Sequence, residues 1–389
     1  MDQQKNLILA IVVSCAILFG FQYFLAPKAP PPQQQTTAQT TQSRAPASPT
    51  APAAPATPAA TPTAPESTSG TTAATTASPA AREQILARTP RVAIDTPRLK
   101  GSINLVGAKL DDLTLLDYRE NPDPSSPQIV LLAPDGTTTP YFAEFGWVPS
   151  DPKVKVPDTD TQWTSSGGAL TPDHPIDLTW DNGAGLRFTR HYTVDDDYMF
   201  TVTQTVTNTG DTKVALYPYA LDARKGEVPV SPTYLYKVGP IGVFDGSLDN
   251  YKYTDMKPDG PKFQSTGGWI GFTDKYWLTA LIPDQHEKLA ANFHHVTQGG
   301  TDVYQVDYRG DERDIAPGAS ATISDRFFAG AKKLALLDHY GDVLGIPHFD
   351  KAIDFGWLYF LAKPIFMLLD FFYAHIGNFG LSIMLLTVL

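Results

Sequence analysis

The sequence has a single cysteine, Cys15, set inside an apolar run. No intrachain disulfide can form, and cysteine usage is silent on the redox compartment. Basic charge is also scarce: 30 Lys and Arg against 41 Asp and Glu leave a formal net charge of -11. Without a basic stripe to neutralise phosphates, the composition argues against nucleic acid as a partner. The chain lacks a Gly-rich phosphate loop and a Gly-x-Ser-x-Gly elbow, the signatures of P-loop nucleotide binding and α/β-hydrolase chemistry.

Metal signatures are missing as well. The histidines of interest are His174, His191, His286 and the pair His294-His295. Adjacent strand residues point to opposite faces, so the pair cannot serve one metal without a bulge. "HEKLA" at His286 has no second zinc-protease histidine. Asp195-Asp196-Asp197 lacks the spaced ligands and terminal Glu of an EF-hand loop and reads as a solvated turn. No catalytic, cofactor-binding or metal-ligating residue is therefore nominated, and the chain is expected not to be an enzyme.

What is present begins with "LILAIVVSCAILFGFQYFL", Leu7 to Leu25, which carries no charge. Its Leu, Ile, Val and Phe residues supply roughly -5 kcal/mol toward insertion, enough to outweigh Ser14 and Gln22. Three readings compete: an uncleaved anchor, a cleaved signal, and a lipoprotein signal presenting Cys15. The apolar run continues past Cys15 and Pro27 sits awkwardly beside the small-residue site, which favours an anchor over residues 1-26. Residues 27-84 are mostly Pro, Ala, Thr, Ser and Gln and read as a disordered tether whose function is reach.

From about residue 85 to 330 the pattern turns to short alternating runs. "GLRFTRHYTV" sets Leu186, Phe188, Arg190, Tyr192 and Val194 against polar neighbours, and a Thr209-Gly210-Asp211 turn is expected to join two paired strands. "HHVTQGGTDVYQVDYRG" predicts a hairpin around Gly299-Gly300. Few segments have a helical period, so the fold class is mainly antiparallel β. "GGWIGFTDKYWLTALIP" concentrates Trp269, Phe272, Tyr276 and Trp277, which read as core, with sugar or peptide binding as the other use of such rings.

An amphipathic helix and linker follow over residues 331-348, then an apolar helix over 349-378. At 100° per residue Tyr359, Lys363, Asp370 and Tyr373 form one narrow polar stripe. Spanning a bilayer would bury Lys363 near its centre at about 3 kcal/mol and Asp370 somewhat less deep, whereas lying flat leaves both in water. The expectation is an interfacial helix kinked at Pro364, with Trp357, Tyr359 and Tyr373 at headgroup level and Phe366, Leu369 and Phe372 on its apolar side. Residues 379-389, "FGLSIMLLTVL", then read as the start of a second span, which makes the chain a fragment on this expectation.

The order of anchor, tether, β domain and "DFGWLYFLAKPIFMLLDFFYAHIGNFGLSIMLLTVL" resembles the amino-terminal half of the YidC membrane-protein insertases of Gram-negative bacteria. "PIDLTWDNGAGLRFTRHYTVDDDYMFTVTQTVTNTGD", "GGWIGFTDKYWLTALIP" and "RFFAGAKK" are similar to conserved blocks of that family, although Ala331 replaces a family proline. The resemblance implies a mutarotase-like β-supersandwich in the periplasm of a multi-pass inner-membrane protein. It also implies work on nascent membrane proteins, alone or with the Sec translocon and its accessory subunits, and with the ribosome and the lipid bilayer. The mechanism it implies is an energy-independent hydrophilic groove built by later helices. The rival class is a membrane-anchored carbohydrate-binding or mutarotase-like protein.

Overall fold

Alternation decides which side of each strand faces inward, and pairing between distant strands decides the rest. The computed structural model describes residues 64–65, 79–228, 237–356 and 358–388. The expected anchor, nearly all of the tether and Trp357 lie outside the described residues.

A short helix, α1 (Pro79–Leu86), leads into the strands. They are β1 (Arg91–Asp95), β2 (Leu99–Asn104), β3 (Leu110–Arg119), β4 (Gln128–Leu132), β5 (Tyr141–Pro149) and β6 (Thr164–Ser165). Next come β7 (Ile176–Asp181), β8 (Leu186–Val194), β9 (Met199–Asn208), β10 (Val214–Lys225), β11 (Gly239–Phe244) and β12 (Ser247–Asn250). The last are β13 (Lys262–Thr266), β14 (Trp269–Thr273), β15 (Trp277–Ile282), β16 (Lys288–Gln298), β17 (Thr301–Gly310), β18 (Arg313–Ile315) and β19 (Ser320–Ala331). Among the described residues they form two antiparallel sheets. One runs β1-β2-β3-β5-β10-β17-β16-β13, with β4 on β3 and β18 on β10; the other runs β12-β11-β14-β15-β19-β9-β8-β7-β6.

The sheets face each other across one core. Phe145 of the first meets Phe327 of the second with ring centroids 6.4 Å apart, and Tyr141 meets Phe272 at 6.1 Å. The Thr-rich composition of β9 has a direct cause: Thr203, Thr205 and Thr207 face outward and hydrogen-bond Ser324, Thr322 and Ser320 of β19 at 3.1, 3.0 and 2.9 Å. The alternate residues Val202, Gln204 and Val206 are buried. Such cross-strand pairs contribute a few tenths to about 1 kcal/mol each.

Where two strands share a tight turn, the local pattern predicted the pairing. β16 and β17 form the hairpin expected at Gly299-Gly300, whose φ of 57° and 84° suit a two-glycine turn. β8 and β9 pair around the Asp195-Asp196-Asp197 turn, where Asp195 accepts backbone N–H bonds from Asp197 and Met199. The expected pairing across Thr209-Gly210-Asp211 is corrected: β9 pairs with β8 and β19, while β10 crosses to the other sheet and pairs with β5, β17 and β18. Alternation gives both strands an inner face but says nothing of which sheet each joins.

The expected tether boundary also shifts. "PAAREQIL" is rich in helix formers, and α1 is tied down where Arg82 pairs with Asp112. Ala64 is buried against Phe142, Tyr219, Leu221 and Ala223, and Gln305 Nε2 donates to the Pro65 carbonyl at 3.0 Å. At those two residues the segment is packed on the domain and does more than extend.

His294 and His295 do face opposite ways, His294 toward Asp307 at 3.1 Å and His295 toward Asp302 at 3.0 Å. His191 sits 2.7 Å from Asp177 and His286 lies 3.3 Å from Asp284, while His174 is exposed. Trp269 and Phe272 belong to the core; Tyr276 is exposed and Trp277 half-buried.

Candidate functional site

The chain leaves β19 through Lys332 and Lys333 into α2 (Leu334–Leu344), which buries Leu334, Leu337 and Tyr340 on the domain. Gly345 ends α2 in the left-handed region at φ 66°, as a helix C-terminus favours. A 3-10 turn, Phe349–Ala352, then inserts Phe349 between Trp269 and Phe328, each with ring centroids 5.4 Å away. Trp269 Nε1 donates to the Pro347 carbonyl at 3.0 Å, and Tyr340 Oη donates to Asp195. The expected single helix over 349-378 is thereby corrected. Its first part is a clasp belonging to the domain, because Phe349 fills an aromatic pocket and Ala352 of the same turn is buried.

After the clasp comes α3 (Tyr359–Ile376), and after Gly377, at φ 69°, α4 (Phe379–Val388). Two polar side chains of the first turns of α3 turn back on the clasp. Lys363 Nζ donates to Asp338 Oδ1 of α2 and to Asp350 Oδ2 of the 3-10 turn, both at 2.7 Å, and Tyr359 Oη donates to Asp350. Burial pushes the Asp350 carboxyl up, and the hydrogen bonds from Lys363 and Tyr359 outweigh it, holding the group below the usual carboxylate range. Lys363 is therefore not left to water as the polar-stripe argument expected. Its charge is matched by two carboxylates, and the joint fixes the start of α3 to the domain.

The remainder of α3 is bare. It contains no buried residue, and Phe360 is 73% exposed, Met367 53% and Phe371 55%. Phe366 is exposed with its ring edge-on to Phe355 at 5.7 Å, while Leu369 and Phe372 are half-buried. Pro364 lies inside the helix and Asp370 is exposed, away from the Lys363 joint. Tyr373 stacks on Phe379 at 3.9 Å, linking α3 to α4. By length and composition α3 is apolar enough to cross a membrane. Contiguous exposed apolar surface of this kind marks a lipid or partner contact.

Residues 91–368 match the family described as the YidC periplasmic domain. The chain belongs to the YidC family. It is 43% identical over 398 residues to a membrane protein insertase YidC of Methylobacterium radiotolerans, covering 99% of this chain and 64% of the relative. It is 44% identical to that of Bradyrhizobium diazoefficiens over 402 residues, covering 100% of this chain and 65% of the relative, and 46% identical to that of Nitrobacter hamburgensis, covering 100% and 64%. The chain thus spans a little under two thirds of the length of these YidC relatives. Among solved structures it is similar to a putative aldose 1-epimerase of Escherichia coli, with 13% identity, a TM-score of 0.40, and coverage of 62% of this chain and 98% of that one. A likeness that distant speaks neither for nor against a sugar chemistry.

Within this YidC-family chain, the sequence pattern sets Tyr359 and Lys363 on one polar stripe but does not point to their partners Asp338 and Asp350. Each is an ordinary acidic residue in its own stretch, and only the reversals at Gly345 and at His348, whose φ is 53°, bring them together. Asp338 on the polar side of an amphipathic α2 was the one readable hint.

Proposed function

We propose that the chain supplies the membrane anchor, the periplasmic domain and a membrane-surface helix of an insertase that helps nascent inner-membrane proteins into lipid, alone or with the Sec translocon and the ribosome. The work is not enzymatic on this reading. A hydrophilic groove shortens the apolar path for polar flanks, each of which costs several kcal/mol to carry through hydrocarbon, and needs no nucleotide. Family membership supports the reading, and the observation that carries it for the residues at hand is α3: pinned at one end by Lys363 and apolar along its length.

Lying flat lets α3 bury Phe366, Leu369 and Phe372 in the headgroup and acyl boundary while Lys363 stays on Asp338 and Asp350. Spanning would pull Lys363 off its two carboxylates toward the bilayer centre at about 3 kcal/mol and carry Asp370 into hydrocarbon somewhat less deep. The surface helix then couples the β domain to the insertion groove. The test is the Phe366→Asp, Leu369→Asp, Phe372→Asp triple variant in the complete gene, read by insertion of a dependent substrate. Loss of insertion at normal protein level is expected; wild-type insertion would sink the coupling role.

A further inference from the structure

A cleft of about 460 Å³ opens at the root of the surface helix. In a chain of net charge -11, its lining holds Arg119, Lys237, Lys275, Lys332 and Lys333 against one acid, Asp354. The cations come from four separate places in the chain order: the end of β3, the approach to β11, the turn between β14 and β15, and the two residues after β19. Lys332 is anchored at the back, donating to Thr273 Oγ1 at 2.9 Å and the Ala352 carbonyl at 3.3 Å, and burial pushes its ammonium down to about 8, against the raising pull of Asp274 and Asp354. Lys237 stands 3.9 Å from Asp354, and Arg119 donates to the Ser126 carbonyl at 2.7 Å.

Aromatic rings complete the lining. Tyr118 meets Trp277 edge-on at 5.0 Å, and the Lys275 ammonium lies 4.7 Å from the centre of the Tyr276 ring, which is 56% exposed. Cations interleaved with Tyr and Trp rings are the composition that settles at the headgroup level of a bilayer. The remaining wall is Ala331, Ile353 and Asp354, the last two a few residues before α3 begins, so the cleft opens beside the root of α3.

We propose that this cleft binds the phosphate of an anionic phospholipid headgroup from the leaflet on which α3 lies. The proposal rests on the reading of α3 as a membrane-surface helix. The phosphate sits among Lys237, Lys275 and Lys333, with the aromatic rings against the glycerol. A free phosphate ester offers the same anion, but only the lipid is presented at the root of α3 at the concentration of a membrane.

The test uses the full chain in phosphatidylcholine vesicles with and without phosphatidylglycerol, read residue by residue as the rate of lysine acetylation and methionine oxidation. Phosphatidylglycerol should slow acetylation of Lys237, Lys275 and Lys333 by about fivefold, the scale of one cation meeting an anionic surface. Lys153 and Lys213, exposed elsewhere on the domain, should keep their rates. Equal rates in the two vesicle types, or equal slowing of Lys153 and Lys213, overturns the cleft. Equal slowing by soluble glycerol phosphate at the same phosphate concentration overturns the lipid as its source. Met367 on α3 separates the two readings. If it is protected in both vesicle types while the lysines do not respond, the cleft alone falls; if it oxidises freely, the surface-helix reading falls and takes the proposal with it.

Discussion

The Lys363 ammonium lies 2.7 Å from the Asp350 carboxylate, thirteen residues earlier in the chain, and this pair ties the first turns of α3 to a turn whose neighbour Phe349 is buried in the domain core. With side chains 20% and 12% exposed, the pair is too sheltered to be dismissed as a surface ion pair and too exposed for a full buried-charge penalty. Replacing Lys363 by Met should cost about 1 to 2 kcal/mol locally. Amide exchange in the first turn of α3 should quicken by about tenfold while the β domain keeps its melting point. Unchanged exchange would mean that the joint contributes nothing to holding the helix.

The clasp itself predicts a larger effect. Phe349 fills space between Trp269 and Phe328, so Phe349→Ala leaves a cavity in an aromatic cluster and should cost about 3 to 5 kcal/mol. The loss should appear as faster exchange throughout α2 and the 3-10 turn, and only weakly in β16 and β17 on the other sheet. A uniform loss across both sheets would show that the clasp is part of the domain's cooperative core.

A buried acid sets a pH dependence. Burial pushes the Asp325 carboxyl up to about 7, outweighing the lowering from the Tyr308 hydroxyl, which donates to it at 2.7 Å. Because the folded state holds this proton more tightly than the unfolded chain, whose carboxyl titrates near 4, stability should fall as pH rises from about 4 to about 7 and then level off. Asp222 is likewise raised to about 7 by burial and acts in the same direction. Asp325→Asn should flatten part of this slope, by at most about 4 kcal/mol between the two limits. Urea melts of the variant and the parent at pH 5 and pH 8 decide it: parallel slopes would place the Asp325 proton elsewhere.

How much could be read in advance depended on distance along the chain. Leu186, Phe188, Arg190, Tyr192 and Val194 announced the inner face of β8, and two glycines announced the β16-β17 hairpin, since both signals are contained within one strand or turn. The destination of β10 was not legible, because its partners β5 and β17 lie far away in sequence and its own alternation fits either sheet. At the candidate site the polar stripe named Tyr359 and Lys363, and physical reasoning assigned Lys363 to water and Tyr359 to the headgroup level. The acids that hold them depend on two left-handed backbone positions, one at a histidine, which no periodicity encodes.

The strand that delivers the chain to α2 is β19, and it lies inside its sheet, between β15 and β9. Whatever drags on α3 is transmitted along that strand once the clasp gives. A strand gripped on both sides must shear two ladders of hydrogen bonds together, whereas an edge strand peels one bond after another. A pull applied at α3 would therefore have to unseat the clasp first and then meet both ladders of β19 at once.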